Sequence, residues 1–107
     1  MAEVTIQDID FVDVDLAMAA RLRREWGERV EEELHVYDGI SIVATHRGAI
    51  VGLASLRCDE LPAPLGSTRE GYIDIVEVRE PYRRKGMART LVELTVSRAR
   101  AAHRDHA

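Results

Sequence analysis

The segment from Tyr72 to Val78 constrains the fold of this chain more than any other. In an extended strand, Ile73 and Ile75 point to one side, whereas Val76 and Val78 point to the other. A strand that is apolar on both faces has to be covered on both faces, which is typical of a central strand in a layered α/β domain. The sequence therefore predicts a sheet with helices packed on each side of it.

A basic turn, Arg83-Arg84-Lys85-Gly86-Met87-Ala88, follows this strand and leads into an amphipathic helix. Backbone N–H groups without acceptors collect at a helix N-terminus, together with the positive end of the helix dipole, and both favour a phosphate anion. Gly86 allows the backbone to approach such a ligand closely. The pattern predicts a pyrophosphate-binding turn, and the alternative is an inert, solvated helix cap.

The helix is predicted to pack through a stripe formed by Ala88, Leu91, Val92, Thr95, Ala99 and Ala102.

Composition restricts the class of protein. The chain has 107 residues, 46% of them hydrophobic, which predicts one globular domain over residues 1–107. Its net charge of −4 argues against nucleic-acid binding, although the stretch from Arg79 to Arg104 is rich in arginine and suits a small polyanion. Cys58 is the only cysteine, and neither a membrane span nor a signal peptide is recognisable. We expect a cytoplasmic protein without a membrane partner. We also expect no metal site, because a frayed tail is predicted at His103 and His106.

The first third of the chain predicts a strand followed by helices. Val4 and Ile6 alternate with polar residues as in a short strand, and Asp13 or Asp15 can then cap a helix. A second helical piece is expected from Glu28 to Val36. The apolar face of the first helix would comprise Val14, Met18, Leu22 and Trp26.

The middle of the chain predicts a hairpin. Two aliphatic, β-branched runs, Ser41 to His46 and Ala49 to Arg57, are joined by Arg47-Gly48, where glycine supplies a positive φ. The prolines and glycine between Cys58 and Ser67 then predict a loop.

The turn and the order of the elements resemble the GNAT acetyltransferase superfamily. The motif reads Arg83-x-x-Gly86-x-Ala88 after a strand that ends in Val78, and Tyr82 precedes it as in the common form. Arg84 stands where the family frequently has glycine. The resemblance implies an α/β (α+β three-layer) fold: a GNAT-like mixed sheet with flanking helices, truncated after the helix that follows the central strand. It also implies that acetyl-CoA is bound, as acyl donor, by Val76, Val78, Arg83, Arg84, Lys85, Gly86, Met87 and Ala88.

The resemblance further implies direct attack of an amine acceptor on the acetyl thioester. Main-chain N–H groups between Val76 and Val78 would polarise the carbonyl, and Asp74 and Glu77 are the candidates for the base that keeps the amine neutral. Each carboxylate also has a structural interpretation. Asp74 lies between isoleucines and could be held by structural hydrogen bonds, whereas Glu77 could pair with a neighbouring arginine.

In the family, a further parallel strand, a helix and a final hairpin follow the helix at which this chain ends. A central strand without that neighbour would expose an unpaired edge, which predicts a homodimer or strand pairing with a partner. The alternatives are that the sequence is a fragment of a longer protein, or that a reduced fold binds without turnover. The sequence thus leaves two main functional hypotheses: an acetyl-CoA-dependent N-acyltransferase, or a non-catalytic acyl-CoA-binding or protein-interaction module. A nucleic-acid binder using the basic helix is a third and weaker hypothesis.

Overall fold

The computed structural model describes residues 5–27, 30, 39–60 and 69–105. In this part of the chain, four strands form one sheet in the order β1-β2-β3-β4, with every neighbouring pair antiparallel. One helix, α1, packs on one face and a second, α2, packs on the other. The three-layer α/β arrangement expected from the sequence is confirmed. The elements are β1 (Asp10–Asp13), α1 (Leu16–Trp26), β2 (Gly39–His46), β3 (Ala49–Glu60), β4 (Arg69–Val78) and α2 (Met87–Asp105).

The α1 layer forms as the sequence predicts, except that Val14, which we expected on the helix, precedes its cap. The Asp15 carboxylate accepts a hydrogen bond from the Met18 N–H at 2.8 Å and caps the helix, and Gly27 ends it at a φ of 96°. Leu22 is completely buried against the sheet, and Met18 and Trp26 pack beside it. The core on this face comprises Val14, Leu22, Val30, Val43, Ile50, Leu53 and Ile75.

The α2 layer covers the opposite face of the sheet. Its buried residues are Met87, Leu91 and Thr95, which recur every four residues. Ala88, which we expected at the start of the buried stripe, is exposed. The prediction was wrong there because Met87, one residue earlier, is the residue that contacts the sheet. The core on this face comprises Ile9, Ile42, Ala44, Val51, Ala54, Val78, Met87 and Leu91.

The predicted β2–β3 hairpin is confirmed. Arg47 and Gly48 form its two-residue turn with φ values of 51° and 83°, as a type I′ turn requires. The Arg21 guanidinium of α1 donates a hydrogen bond to the Gly48 carbonyl and so ties the hairpin tip to the helix.

Several boundaries differ from the sequence prediction. Residues Ile6–Asp8 form a short 3-10 turn, and the first strand begins only at Asp10. Hydrogen bonds from the Thr5 N–H and hydroxyl to the Asp8 carboxylate favour this turn and lower the pKa of that carboxyl. β3 continues to Glu60, so Cys58 belongs to a strand. Val4, residues 61–68 and most of the predicted second helix lie outside the described residues, although Val30 is helical.

Strand β4 presents apolar residues to both layers, as predicted. Ile75 packs in the α1 layer, whereas Val76 and Val78 pack under α2. Within the described ranges, however, β4 is the last strand of the sheet and pairs only with β3, and Ile73 is 41% exposed. The parallel neighbour that makes the sheet mixed in the family is not among the described strands. No described helix is long and apolar enough to cross a lipid bilayer.

Candidate functional site

The end of β4 is held firmly to the centre of the sheet. Val51 is the extra residue of a bulge in β3, because Ala44 pairs with Gly52 whereas Thr45 pairs with Ile50. Gly52 pairs with Val78 on the other side of β3, and the neighbouring Val51 carbonyl accepts a hydrogen bond from the Arg79 N–H at 2.8 Å. This bond extends the contact between β3 and the chain beyond Val78.

A short 3-10 turn, Glu80–Tyr82, leads from the strand into the basic turn. The Tyr82 N–H donates to the Arg79 carbonyl at 2.8 Å, and the Arg83 N–H donates to the Glu80 carbonyl at 3.1 Å. The Arg83 side chain folds back, and its Nε donates to the Val78 carbonyl at 2.8 Å. Arg83 thus closes the turn onto the strand from which it leaves.

The basic turn places backbone donors at the start of α2. Arg84 and Gly86 have φ values of 65° and 78°, which direct the chain into the helix. The first helical hydrogen bond runs from the Thr90 N–H to the Gly86 carbonyl at 3.0 Å, so the preceding N–H groups of the first turn have no acceptor within the helix. Gly86 has no side chain with which to cap them. The helix end is therefore a site where an anion can be bound by backbone groups.

Close packing fixes the height of α2 above the sheet. Gly52 of β3 lies under the first turn of the helix, and a Cβ at this position would lie 3.1 Å from Leu91 Cδ1 and 3.2 Å from Met87 Sδ. Only glycine leaves this space free. The Met87 side chain, 2% exposed, is part of the core, so Met87 can contribute to the site only through its backbone.

The predicted cofactor-binding residues are brought together at this strand–turn–helix junction. Arg83, Arg84 and Ala88 are exposed, Lys85 and Val76 are half-buried, and Val78 is buried. Open space surrounds the Cα of Gly86, since a Cβ there would meet no atom within 4 Å. The sequence did not indicate His46, whose Nδ1 shares a hydrogen bond of 2.9 Å with the Tyr82 hydroxyl. These residues are 36 positions apart, and neither carries a local signal of the contact.

The two predicted catalytic carboxylates lie on β4. Asp74 is the extra residue of a second bulge, because Ser55 pairs with Ile75 whereas Leu56 pairs with Ile73, and its side chain lies outside what the structure describes. Glu77 is exposed and lies opposite Leu53.

The expected ion pair between Glu77 and an arginine does not form with any of the described residues. The nearby Arg79 instead stacks on the indole ring of Trp26, with its guanidinium carbon 4.2 Å from the ring centroid. This stacking links the end of β4 to the end of α1. Glu77 itself is exposed.

The three layers and the basic turn between β4 and α2 define an acyltransferase-type α/β domain. The sequence profile of the acetyltransferase (GNAT) family matches residues 7–106, and the chain belongs to that family. Membership supports acyl transfer as the general chemistry. No curated protein sequence matches the chain significantly.

Solved structures of acetyltransferases have the same fold. A ribosomal-protein-alanine N-acetyltransferase from Brucella melitensis biovar Abortus 2308 is 22% identical, with a TM-score of 0.66 over 87% of this chain and 72% of the other. An aminoglycoside acetyltransferase from an uncultured soil metagenomic sample is 13% identical, with a TM-score of 0.70 over 92% and 74%. A predicted acetyltransferase from Clostridium acetobutylicum, in a structure with acetyl-CoA, is 16% identical, with a TM-score of 0.65 over 89% and 75%. At these identities, the likeness concerns the fold alone.

Proposed function

We propose that residues 1–107 form one acyl-CoA-binding domain and that the protein transfers an acetyl group from acetyl-CoA to an amine. The observation that carries this proposal is the geometry of the basic turn. At the position of the family motif, positive φ values at Arg84 and Gly86 lead the chain into a helix whose first N–H groups have no acceptor within the helix, and a Cβ at Gly86 would meet only open space. The relative from Clostridium acetobutylicum, in a structure with acetyl-CoA, supports the choice of donor.

The turn would bind the pyrophosphate through the backbone of residues 83–88. Arg84, which is exposed, and Lys85, which is half-buried, would add positive charge beside the phosphates. Arg83 would support the site by holding the Val78 carbonyl. Val76 and Val78 would provide the strand along which the rest of the cofactor lies.

The reaction would be direct transfer. A neutral amine attacks the thioester carbonyl, the carbonyl oxygen becomes an oxyanion, the carbon–sulfur bond then breaks, and the CoA thiolate takes up a proton. Alternate residues of β4 direct their N–H groups away from β3, because an antiparallel pair bonds only every second residue of each strand to its partner. Such groups near Val76 to Val78 are suited to stabilise the oxyanion.

The base that deprotonates the amine would be Asp74, with Glu77 as the second candidate. Bulges re-aim the backbone and are frequent beside active sites, and Asp74 occupies the bulge of β4. Glu77 is exposed at the same strand and can act directly or through a water molecule.

Replacing Asp74 with Asn is expected to lower kcat by about 100-fold, the lower end of what a general base contributes, while the Kd for acetyl-CoA stays within about twofold. Steady-state kinetics and calorimetry on the same preparation measure both quantities. Asp10→Asn, at an exposed position of β1, is the matched control. An unchanged kcat with a lower melting temperature would assign Asp74 a structural role, and Glu77→Gln would then be the next variant to test.

The second candidate function is a non-catalytic acyl-CoA-binding or protein-interaction module. The open edge of β4 in the described sheet favours it, because an unpaired edge accepts a strand from a partner. A homodimer formed through this edge and a cytoplasmic location stay predictions.

A titration tests the proposal. Acetyl-CoA is added to the purified protein in a calorimeter, with desulfo-CoA and ATP as controls, and light scattering records the mass in the same buffer. Saturable binding of acetyl-CoA and desulfo-CoA but not of ATP, followed by release of free CoA thiol with a panel of amines, is the expected result. Binding without thiol release would favour the non-catalytic module, and absence of binding would contradict both acyl-CoA hypotheses.

A further inference from the structure

We propose that His46 is a positioning residue for the basic turn and that it acts through Tyr82. The inference rests on the proposed function in one respect, which is that the ligand held by the turn is the pyrophosphate of CoA. The claim that His46 holds the basic turn in place depends only on the contacts described below.

The contact between His46 and Tyr82 is specific. The His46 Nδ1 and the Tyr82 hydroxyl are 2.9 Å apart and partly buried. The two rings also meet edge to face, with centroids 5.6 Å apart and an angle of 66° between their planes. The body of Tyr82 packs against the core under α2, so both ends of the side chain are held. Such a contact restricts the phenol ring to a single position.

The tyrosine is part of a set of attachments that hold the segment between β4 and α2. Arg79 is bonded to the Val51 carbonyl of β3, and Arg83 is bonded to the Val78 carbonyl of β4. Tyr82 adds a third attachment, to the last residue of β2. Residues 79–83 are thereby tied to three strands of the sheet.

This attachment matters because the turn is strained. Arg84 has a φ of 65°, a left-handed conformation that is unfavourable for any residue other than glycine. Such a conformation persists only where the surrounding contacts hold it. Tyr82 lies two residues before Arg84, so release of its hydroxyl would let the strained part of the turn relax. The backbone donors at the start of α2 would then lose their fixed direction.

His46 is itself a rigid anchor. It pairs with Ala49 at the end of β2 and directly precedes the two-residue hairpin turn. The other side of that turn is held by α1, because Arg21 donates to the Gly48 carbonyl. The hairpin tip therefore lies between the α1 layer and the basic turn, and it connects them.

Four variants test the inference: Tyr82→Phe, His46→Phe, the double variant and His46→Asn. Phenylalanine at either position keeps a ring for the edge-to-face contact but removes the hydrogen bond. The Asn side chain places a polar atom near the position of Nδ1 and is the conservative rescue. Amide hydrogen exchange of the free protein reports on the turn, calorimetry reports the Kd for CoA, and a melting curve reports global stability.

We expect amide exchange of residues 79–90 to become about fivefold faster in each Phe variant, while exchange in β2 and β3 is unchanged. The Kd for CoA should rise threefold to tenfold in each, and the double variant should be no worse than either single one. His46→Asn should restore most of the wild-type affinity. This selective, non-additive pattern is one that a merely structural role would not produce.

If the amides of residues 79–90 exchange at the wild-type rate in both Phe variants, the inference is overturned, whether or not CoA binds. Additive effects of the two substitutions on the Kd would also overturn it, as would faster exchange throughout the sheet together with a lower melting temperature. If exchange rises selectively in the turn but the wild-type protein binds no CoA, then His46 does position the turn and the proposed function is wrong. The two failures are thus distinguishable.

Discussion

Replacing both Arg84 and Lys85 with Glu is expected to raise the Kd for CoA by at least about 100-fold and to change the fold little. Each cation that contacts a phosphate contributes about 1.5–3 kcal/mol, and a tenfold change in Kd corresponds to about 1.4 kcal/mol. The left-handed backbone at Arg84 is no more strained with Glu than with Arg, because both side chains carry a Cβ. Loss of affinity at nearly constant stability is therefore the expected result.

Calorimetric titration with CoA at several salt concentrations, together with melting curves, makes the measurement. Arg24→Glu with Arg100→Glu is the matched control, because it changes the net charge by the same amount at exposed positions of α1 and α2. Charges that do not contact the ligand act on it only through a field with a screening length of about 10 Å at 0.1 M salt. The control should bind CoA with a Kd within about threefold of the wild-type value. The CoA affinity of the wild-type protein should fall as the salt concentration rises, and the affinity of the turn variant should fall less.

Equal affinity of the turn variant and the wild-type protein would contradict the role of the basic turn. An equal loss of CoA affinity in the Arg84→Glu, Lys85→Glu variant and in the control would mean that net charge, and not this turn, attracts the ligand. Arg83 is omitted from the variant because its Nε bonds the Val78 carbonyl, so a change there would combine a structural effect with an electrostatic one.

Replacing Gly52 with Val is expected to lower the free energy of unfolding by about 2 kcal/mol, the middle of the range for overpacked cores. The new Cβ alone would lie 3.1 Å from Leu91 Cδ1 and 3.4 Å from the Ala44 Cβ, and valine adds two further methyl groups in the same gap. The helix would have to move away from the sheet. Because the start of α2 carries the proposed phosphate donors, the affinity for CoA should fall together with the stability.

Gly52→Ala and Met87→Ala provide the controls. Alanine at position 52 requires shifts of only a few tenths of an ångström in flexible side-chain ends, so it should cost less than about 1 kcal/mol. Met87→Ala removes one of the atoms that valine would meet, and the double variant Gly52→Val with Met87→Ala should be more stable than the sum of the single effects predicts. Denaturant unfolding of all four variants gives the free energies. Full additivity would contradict the close approach of α2 to β3 at this position.

Much of the fold follows from local patterns in the sequence. The apolar residues on both faces of β4 predicted layers on both sides of the sheet. The acidic residues Asp13 and Asp15 predicted a helix cap, which Asp15 provides, and Arg47-Gly48 predicted the hairpin turn. Each of these signals depends on residues close in the chain, because strand alternation, capping and turn conformation are set by near neighbours. The basic turn before α2 was recognisable for the same reason.

The sequence by itself thus determined the layers, the hairpin and the position of the basic turn. Only the tertiary structure decided that Met87 and not Ala88 faces the sheet, that Gly52 admits the helix, and that His46 reaches Tyr82. These contacts join residues far apart in the chain, and they depend on strand register and on the rotation of a packed helix about its axis. The hairpin turn sets the register of β2 and β3, but contacts between elements distant in the chain depend on which faces are buried together, and a local pattern does not contain that.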